Sequence, residues 1–286
     1  MKLAFIARVE KPEAVEYAAR LMQEAKSRGH DLVLEPALAR FLGQEQLAGD
    51  DEQLKSAGVI IVLGGDGTFL GATRRLRGTA GYFLAVDVGG FGFMSEAAPD
   101  DIEGIMGAVE NPTAHQGFRS MLEATIIPRT GAQQRWVAIN DVVVSKAVGE
   151  GLIEVALVSR GHLICNLRAD GVVFASPSGS TAYSLSAGGP IVHPSLECMI
   201  VTPICPHTLA TRPLVLPTEH EIEVTLGPQA EIGRKVMFVV DGQERQEIAV
   251  GDRLLVRGAE DRVKVCKLER GSFYQKLREK LRWGMR

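Results

Sequence analysis

The sequence predicts a two-domain protein: an N-terminal Rossmann-like α/β domain with a parallel sheet, followed by an all-β domain of the β-sandwich type. Three observations support this. Apolar runs alternate with helical patterns through residues 1–118, which is typical of a parallel sheet with helical crossovers. Short alternating segments dominate residues 119–270, and a helical period returns in residues 271–286. We therefore expect the C-terminal helix to return to the first domain and pack on it.

The first domain shows strand and helix patterns in alternation. The helix expected over residues 12–28 has one apolar face, and Gly29 is of the residue type that commonly follows a helix C-terminus. The run at 59–63 is wholly apolar, as in a strand buried on both faces. Further strands are expected at 3–6, 32–34 and 82–86, and a further helix at 99–109.

The second domain is predicted from short segments in which apolar and polar residues alternate, the pattern of half-buried strands. Such segments recur at short spacing, which favours a sandwich over a helical fold. Residues 221–226 and 262–268 are examples of this alternation, and residues 236–240 and 253–257 are further short strand candidates.

The C-terminal helix is expected to begin at Ser272, a residue type that caps helices. Its apolar residues share one face, and we interpret its basic residues as a solvated face. The apolar residues are Phe273, Leu277 and Leu281, and the basic ones are Lys276, Arg278, Lys280 and Arg282.

Composition indicates an ordinary globular protein. The chain has 286 residues, 45% of them hydrophobic and 23% charged, and its net charge is −3. That balance gives no support to a nucleic-acid or membrane partner, and we find neither a membrane-spanning run nor a signal peptide. The four cysteines are widely spaced without a C-x-x-C, which favours reduced thiols and a cytoplasmic location. They are Cys165, Cys198, Cys205 and Cys266.

The sequence GGDGTFL at residues 64–70 is the stretch that most directly indicates a functional site. It follows the apolar run at 59–63 and precedes a helical segment, so it is expected at the carboxyl end of a strand, where open α/β sheets bind ligands. Glycines and a helix N-terminus suit a phosphate. The carboxylate of Asp66 would repel a phosphate, so it has another role. Three are open: a base for an attacking hydroxyl, a group beside a metal, or simply the helix N-cap.

Other nucleotide motifs are missing from this stretch. The chain contains no G-x-x-x-x-G-K-[ST], so a Walker loop is excluded. Leu70 stands where the dinucleotide fingerprint needs its third glycine, so an ordinary hydride-transfer site is not indicated.

Two polar clusters stand out in the second domain. Asn140 and Asp141 precede an apolar strand, where they are either site residues or a simple turn. Residues 170–190 are dominated by Ser, Thr and Gly around Tyr183. Small residues and hydroxyls suit the sugar and amide parts of a nucleotide, and Tyr183 offers a stacking face. A serine hydrolase is poorly supported because no G-x-S-x-G is present.

Taken together, these motifs resemble those of the NAD kinase family. Residues 64–70 resemble its GGDG turn, and residues 89–94 resemble its second glycine segment. Asn140 and Asp141 stand where the family usually has Asn-Glu. Residues 170–191 match its long, highly specific signature, and the turn at 241–243 resembles a late turn that closes the site.

The resemblance implies transfer of the ATP γ-phosphoryl group to the 2′-hydroxyl of the adenosine ribose of NAD, which gives NADP. It implies Asp66 as the catalytic base, Mg²⁺ bound mainly through the ATP phosphates with no residue of the chain as a metal ligand, and a homodimer or homotetramer. Polyphosphate is left open as a donor. The residues implied for ATP phosphates are Gly64, Gly65, Gly67 and Thr68, and those for NAD are Gly67, Phe93, Asn140, Asp141, Arg168, Asp170, Thr181, Ala182, Tyr183, Ser184, Leu185, Ser186, Asp241 and Gln243.

Three departures from the family pattern stand in the sequence. Asp141 is one methylene shorter than the usual Glu. Asp87 stands where the family more often has Asn, so it either points toward Asp66 and raises its proton affinity or faces a backbone amide. Ser176 and Ser178 replace the usual threonines.

Two other functions are compatible with parts of this pattern. A lipid or sphingoid-base kinase would share the two-domain plan and the glycine turn. A non-catalytic NAD-binding regulator would share the long signature but has no use for Asp66 in its turn.

Overall fold

The chain, described from a computed structural model, divides into two compact units. One unit is Met1–Phe118 together with Val263–Arg286, and the other is Arg119–Arg262. Residues 263–268, which the sequence analysis assigned to the second domain, therefore belong to the first unit. The structure describes residues 1–88, 92–98, 100–227, 235–268 and 273–284.

The first unit is built on a parallel sheet. Its strands follow the order β2-β1-β3-β4, and each neighbouring pair is parallel. A fifth strand, the end of β16, pairs with β4 in parallel through Val265 and Phe83. The bounds are β1 (Lys2–Ala7), β2 (Asp31–Leu34), β3 (Val59–Gly64), β4 (Tyr82–Asp87) and β16 (Arg253–Cys266).

The helices expected over residues 12–28 and 99–109 are both present, at residues 12–27 and 102–110. In α1, the six buried residues recur with the helical period, and Gly29 follows the helix with a φ of 77°. In the described ranges the α-helices are α1 (Pro12–Ser27), α2 (Pro36–Phe41), α3 (Asp51–Lys55), α4 (Asp66–Arg75), α5 (Ile102–Glu110), α6 (Tyr183–Ser186) and α7 (Phe273–Leu281).

The second unit contains strands of two sheets, and its strand pairs with a described register are antiparallel. One path runs β16-β13-β8-β9, with β5 beside β16 and β6 beside β5, and the other sheet has the order β12-β11-β10-β7-β14-β15. Their bounds are β5 (Gln116–Ile127), β6 (Gln134–Ala138), β7 (Asp141–Lys146), β8 (Ile153–Ser159), β9 (His162–Ala169), β10 (Gly171–Ala175), β11 (Cys198–Ile204), β12 (Leu214–Pro217), β13 (Ile222–Leu226), β14 (Val236–Val240) and β15 (Glu244–Ile248).

One apolar core joins the two sheets of the second unit. Val142 and Phe174 from one sheet cluster with Leu157 and Val224 from the other, and all four are buried. This is the sandwich that the alternating pattern predicts, so the predicted fold class is confirmed. The two strands expected at 253–257 and 262–268 are a single strand, β16, because the residues between them continue the extended backbone.

The C-terminal helix α7 belongs to the first unit. Its predicted cap, Ser272, lies outside the described residues. Arg278 is exposed, but the interpretation of all four basic residues as a solvated face is wrong: Lys276 is only 8% exposed, and the Lys280 side chain is 14% exposed. Their charges are matched by acidic residues of the same unit, which allows burial.

All four cysteines are free, and burial raises the pKa of the Cys266 thiol to about 12. None of the helices in the described ranges is long and apolar enough to cross a membrane.

Two glycines of α5 provide a matched stability test. An added Cβ at Gly107 meets nothing within 4 Å, so Gly107→Ala should stabilise the protein by about 0.5–1 kcal/mol through helix propensity. At Gly104, an added Cβ lies 2.5 Å from Oδ2 of Asp101, the N-cap residue whose carboxyl accepts the Gly104 amide. Gly104→Ala should gain nothing, because losing that cap costs about 1 kcal/mol.

Urea unfolding of the two variants and the unsubstituted protein measures both effects. Equal stabilisation by the two substitutions would show that the Asp101 cap contributes nothing.

Candidate functional site

The glycine turn joins a buried strand to a helix. Every residue of β3 up to Gly64 is buried, and α4 begins at Asp66. Gly65 has the extended backbone of an N-cap residue, with φ −94° and ψ −175°, and no side chain caps the helix. The alternative that Asp66 is the N-cap is therefore wrong, because Asp66 is the first residue of the helix itself.

The Asp66 carboxylate is held by backbone amides of a remote segment. Its Oδ2 accepts the N–H of Phe93 at 2.8 Å, and its Oδ1 accepts the N–H of Met94 at 3.0 Å. These two bonds bring together the GGDG turn and the second glycine segment. A carboxylate has about four acceptor positions, so the half-buried Asp66 can accept a further hydrogen bond from a ligand hydroxyl.

Two glycines are required by close approach at this turn. A Cβ added at Gly92 would lie 2.0 Å from Oδ1 of Asp66, and one added at Gly64 would lie 2.5 Å from Oγ1 of Thr68. Any side chain at Gly92 would push the segment away from the carboxylate. Gly89, Gly90 and Phe91, which complete the second segment in the sequence, lie outside the described residues.

The four residues expected at phosphates cluster at the start of α4. Gly64 ends β3, Gly65 is the N-cap, and Gly67 and Thr68 are in the first turn of the helix. The N-terminal turn of a helix carries backbone N–H groups without intrahelical partners and a partial positive charge. This part of the first unit can therefore bind an anion.

Asp87 has a charged partner that neither alternative named. Its Oδ2 lies 3.6 Å from Nζ of Lys280 and 3.5 Å from Oγ of Ser95, so it forms an ion pair within the first unit. This partner differs from the expectation for Lys280, which was interpreted as part of a solvated helix face.

Asp241 has an equivalent organising role in the second unit. Its carboxylate accepts three backbone N–H groups, those of Ile139 at 3.1 Å, Asn140 at 2.8 Å and Asp141 at 3.2 Å. Asp241 reaches them from the β14–β15 turn with a φ of 48°, in the left-handed region that Asp tolerates. The late turn therefore fixes the Asn140–Asp141 backbone, and Asn140 precedes β7 while Asp141 begins it.

Asp141 is buried, with 5% of the residue exposed, and its carboxyl group has an unusual proton affinity. Burial is the larger cause and the charge of Asp241 the next; together they raise the pKa of Asp141 from 3.8 to about 7, while a hydrogen bond from the Tyr183 backbone opposes the rise. Near neutral pH, Asp141 is thus present both as an acceptor-only carboxylate and as an acid that donates.

The serines of residues 170–190 mainly hold the chain to itself. Ser176 donates to the Ile139 carbonyl, Ser180 to that of Pro177, and Ser184 shares a hydrogen bond with Thr202. Ser184 is fully buried, so its hydroxyl lies in the interior and not at a pocket lining, contrary to the sequence interpretation. Thr181 donates to the Ser178 carbonyl, Leu185 is half-buried and Ser186 is exposed.

A cavity of about 670 Å³ opens beside these elements in the second unit. Five of the predicted residues line it: Asn140, Asp141, Ala182, Tyr183 and Asp241. This volume is in the range of small-molecule sites. The side chain of Tyr183 is 46% exposed, and Oδ1 of Asn140 is buried with no hydrogen-bond partner in the part of the chain that the structure describes. Buried polar atoms are normally hydrogen-bonded, so a donor group on a ligand would stabilise this oxygen.

Sequence reasoning missed several lining residues of this cavity. Met237 and Val239 alternate with core residues along β14, so their period of two could have placed them on the opposite face of the sheet. Lys146 and Arg245 bring positive charge to the cavity, and no local motif signals either of them.

Other predicted residues do not line this cavity. Asp170 pairs with Lys146, which does line it, at 2.6 Å. Arg168 borders a separate cavity of about 460 Å³ that Glu154 also lines. Gln243 is exposed in the β14–β15 turn, and Phe93 is half-buried in the first unit.

The described residues contain no group of three or more His, Cys, Asp or Glu side chains that could hold a metal ion. Cys205 and His207, which flank a proline, have no further partners for such a site among those residues.

Family models and curated relatives match both halves of the chain. The ATP-NAD kinase N-terminal domain matches residues 3–114, and the ATP-NAD kinase C-terminal domain matches residues 139–268. The NAD kinase of Geobacter metallireducens is 35% identical over 285 residues, which cover 100% of this chain and 99% of the relative. The NAD kinase of Ralstonia nicotianae is 36% identical over 283 residues, with 97% and 92% covered.

Two solved structures have the same fold. A yeast NADH kinase complexed with NADH has a TM-score of 0.90 at 24% identity, and covers 100% of this chain and 89% of that one. An NAD kinase from Archaeoglobus fulgidus in complex with ATP has a TM-score of 0.76 at 24% identity, with 99% of each chain covered.

The two family models and the curated relatives extend over both domains and name the same kinase, so the lipid-kinase alternative has no support. The chain therefore belongs to the NAD kinase family and phosphorylates NAD to NADP.

Proposed function

We propose that Asp66 accepts the proton of the 2′-hydroxyl on the adenosine ribose of NAD while the γ-phosphoryl group of ATP is transferred to that oxygen. The observation that carries this proposal is the geometry of Asp66. Two backbone amides fix its carboxylate at the N-terminal end of α4, and the group is half-buried with acceptor capacity left for a hydroxyl. A base must lie within hydrogen-bond distance of the proton that it accepts, and an immobilised carboxylate meets that need best.

The phosphates of ATP bind at the start of α4 in this proposal. Gly64, Gly65, Gly67 and Thr68 supply a close backbone approach and the N-terminal helix turn. Phosphoryl transfer depends on positioning and charge stabilisation more than on covalent chemistry, so a rigid turn of this kind is suited to it. ATP as donor is in line with the bound ATP of the Archaeoglobus fulgidus structure; polyphosphate is a further candidate donor.

Mg²⁺ is the cation that we propose for the reaction, bound mainly through the phosphates. A cation held that way needs few protein ligands, and the described residues offer no cluster of acids that would bind it alone. When bound, it neutralises charge on the phosphates.

The cavity beside Asn140 and Asp141 is proposed to bind the adenosine part of NAD. Its support is the unpaired Asn140 oxygen, which can accept from an exocyclic amino group, and the exposed ring of Tyr183, which can stack on a base. Asp141 can hydrogen-bond a sugar hydroxyl in either protonation state. The bound NADH of the yeast structure is in line with a dinucleotide ligand. We assign Thr181, Ala182, Leu185 and Ser186 to the surroundings of this ligand, with Ser184 contributing only through the backbone.

The remaining proposals rest on family resemblance. We propose that the chain forms a homodimer or homotetramer, that Arg168 and Asp170 lie near the nicotinamide end of NAD, that Phe93 and Gln243 approach the ligand, and that the enzyme is cytoplasmic. Light scattering on the purified protein measures the oligomeric state.

Substitution of Asp66 tests the base. Asp66→Asn and Asp66→Ala should each lower kcat for NADP formation by about 10²–10⁴-fold, the range for losing a general base. Both variants should stay folded by circular dichroism. The control is Asp101→Asn, which alters another helix-start carboxylate that accepts a backbone amide, and it should leave kcat unchanged. Retention of kcat within tenfold in both Asp66 variants would remove Asp66 as the base.

Substitution of Tyr183 tests the cavity. Tyr183→Ala should raise KM for NAD by about tenfold, since stacking of an aromatic ring on a base contributes about 1–3 kcal/mol, while KM for ATP stays within twofold. Phe41→Ala, at an exposed aromatic of the first unit, is the control and should change neither value. Equal increases in both KM values would contradict the assignment of this cavity to NAD.

The raised pKa of Asp141 predicts a pH-dependent stability. Because the folded-state pKa of about 7 exceeds the ordinary 3.8, the stabilisation from the protonated group is complete below pH 3.8 and is lost as pH rises through 7. The free energy of unfolding should therefore fall, relative to Asp141→Asn, by up to about 1.4 kcal/mol per pH unit across this window.

Urea unfolding at several pH values between 4 and 8 measures this slope. Asp31→Asn, at an exposed position, corrects for the general effect of removing one carboxyl group. A difference between the unsubstituted protein and Asp141→Asn that does not change with pH would contradict the raised pKa.

A further inference from the structure

The C-terminal helix α7 places a buried ammonium group against the segment that holds Asp66. Lys276 is 8% exposed, and its Nζ donates to the Phe93 carbonyl at 3.2 Å. The same Nζ lies 3.9 Å from Oε2 of Glu96, which is 4% exposed. A lysine is buried at this cost only where its charge is matched and hydrogen-bonded, and here both conditions are met by residues 92–98.

The Phe93 carbonyl and the Met94 amide belong to one peptide group. Lys276 donates to the carbonyl oxygen of this peptide group. The N–H of the same group, that of Met94, donates to Oδ1 of Asp66 at 3.0 Å. A single peptide therefore links the ammonium to the carboxylate. Hydrogen bonds in such a chain polarise one another, so a cation on the carbonyl makes the opposite N–H a stronger donor. The N–H of Phe93 donates to the other oxygen of the Asp66 carboxylate. The backbone here is therefore bonded to Asp66 through two N–H groups and to Lys276 through a carbonyl.

A second lysine of α7 anchors the same segment one helical turn later. Nζ of Lys280 lies 3.6 Å from Oδ2 of Asp87 at the end of β4, and 5.8 Å from the centroid of the Phe93 ring. The hydroxyl of Ser95 also reaches Asp87, at 3.5 Å. Lys276 and Lys280 share one helix face, which is why the two anchors act on one short segment.

We propose that Lys276 is a positioning residue of the kinase reaction, which fixes the Phe93–Met94 peptide and through it the orientation of the Asp66 carboxylate. The Asp87–Lys280 ion pair is the second anchor of the same segment. This inference rests on the proposed role of Asp66 as the base. Displacement of a catalytic group by about 1 Å can cost about 10²-fold in rate, so loss of the Lys276 contact should be seen in kcat.

The test removes the ammonium without leaving a buried charge unpaired. In a Glu96→Gln background, Lys276→Met deletes the donor to the Phe93 carbonyl and keeps the apolar stem. Relative to Glu96→Gln alone, kcat for NADP formation should fall by about 10–100-fold, whereas KM for ATP should change by less than about twofold and the melting temperature by only a few degrees. A merely structural role would lower the melting temperature without separating kcat from KM.

A conservative variant tests the contact itself. Lys276→Gln in the same background keeps an amide donor for the carbonyl, and its side chain can pair with Gln introduced at position 96. Its kcat should lie between those of Glu96→Gln and the Met variant. If the Met variant does not fold, Lys276→Leu in the same background, which also lacks a donor, replaces it, and a kcat equal to that of Glu96→Gln would overturn the proposal.

Arg278→Met is the matched control, because it removes a positive charge from the exposed face of the same helix, and it should leave kcat and KM unchanged. Asp66→Asn tests the proposed base separately from the proposed positioning residue. If Asp66→Asn is inactive while the Lys276 variants keep the kcat of Glu96→Gln, the positioning role is wrong and the base stands. If Asp66→Asn is active, the base itself is wrong.

Discussion

Two backbone hydrogen bonds to Asp66 are the constraint on which the rest of the first unit's candidate site depends. They join the start of α4 to a segment 27 and 28 residues further along the chain. Because the segment approaches so closely, Gly92 has no room for a side chain. Because the carboxylate is occupied by amides and is not the helix cap, it keeps one orientation at the N-terminal end of the helix. An active-site base needs that fixed orientation more than it needs exposure.

In the second unit, too, a carboxylate fixes a remote backbone segment by accepting hydrogen bonds from its amides. Asp241 accepts three backbone amides from residues about 100 positions earlier, and this fixes the entry into β7. Burial first, and that charge second, raise the pKa of Asp141 to about 7. In both units, a carboxylate near a turn organises a remote backbone segment. Around Asp66 this arrangement leaves acceptor capacity for a ligand, and around Asp241 it shapes a cavity that other side chains line.

Local pattern was sufficient to predict much of the fold. The period of α1, the buried run of β3 and the alternation of β13 follow directly from the residues themselves. Long-range pairing was not accessible in this way. Nothing near Asp66 in the sequence points to Phe93, and nothing near Asn140 points to Asp241. The buried lysines of α7 were misread for this reason, since their acidic partners lie about 180 and 193 residues earlier.

The sequence indicated which residues lie at the cavity better than it indicated what each side chain contacts. Asn140, Asp141, Ala182, Tyr183 and Asp241 do line one cavity. Two serines of the long signature, Ser184 and Ser186, were expected at the ligand, and Ser184 instead bonds Thr202 in the interior. Hydroxyls in a tight turn satisfy nearby carbonyls first, as those of Ser176 and Ser180 do.

The central claim is that Asp66 accepts a hydrogen bond from the reacting sugar oxygen. A crystal structure with NAD, Mg²⁺ and a non-hydrolysable ATP analogue measures this contact directly. We expect one Asp66 carboxylate oxygen within about 2.6–3.2 Å of the ribose 2′-oxygen, with both amide bonds to Phe93 and Met94 retained. A 2′-oxygen well beyond that distance, with no bridging water and with Asp66 bound only to the backbone, would contradict it.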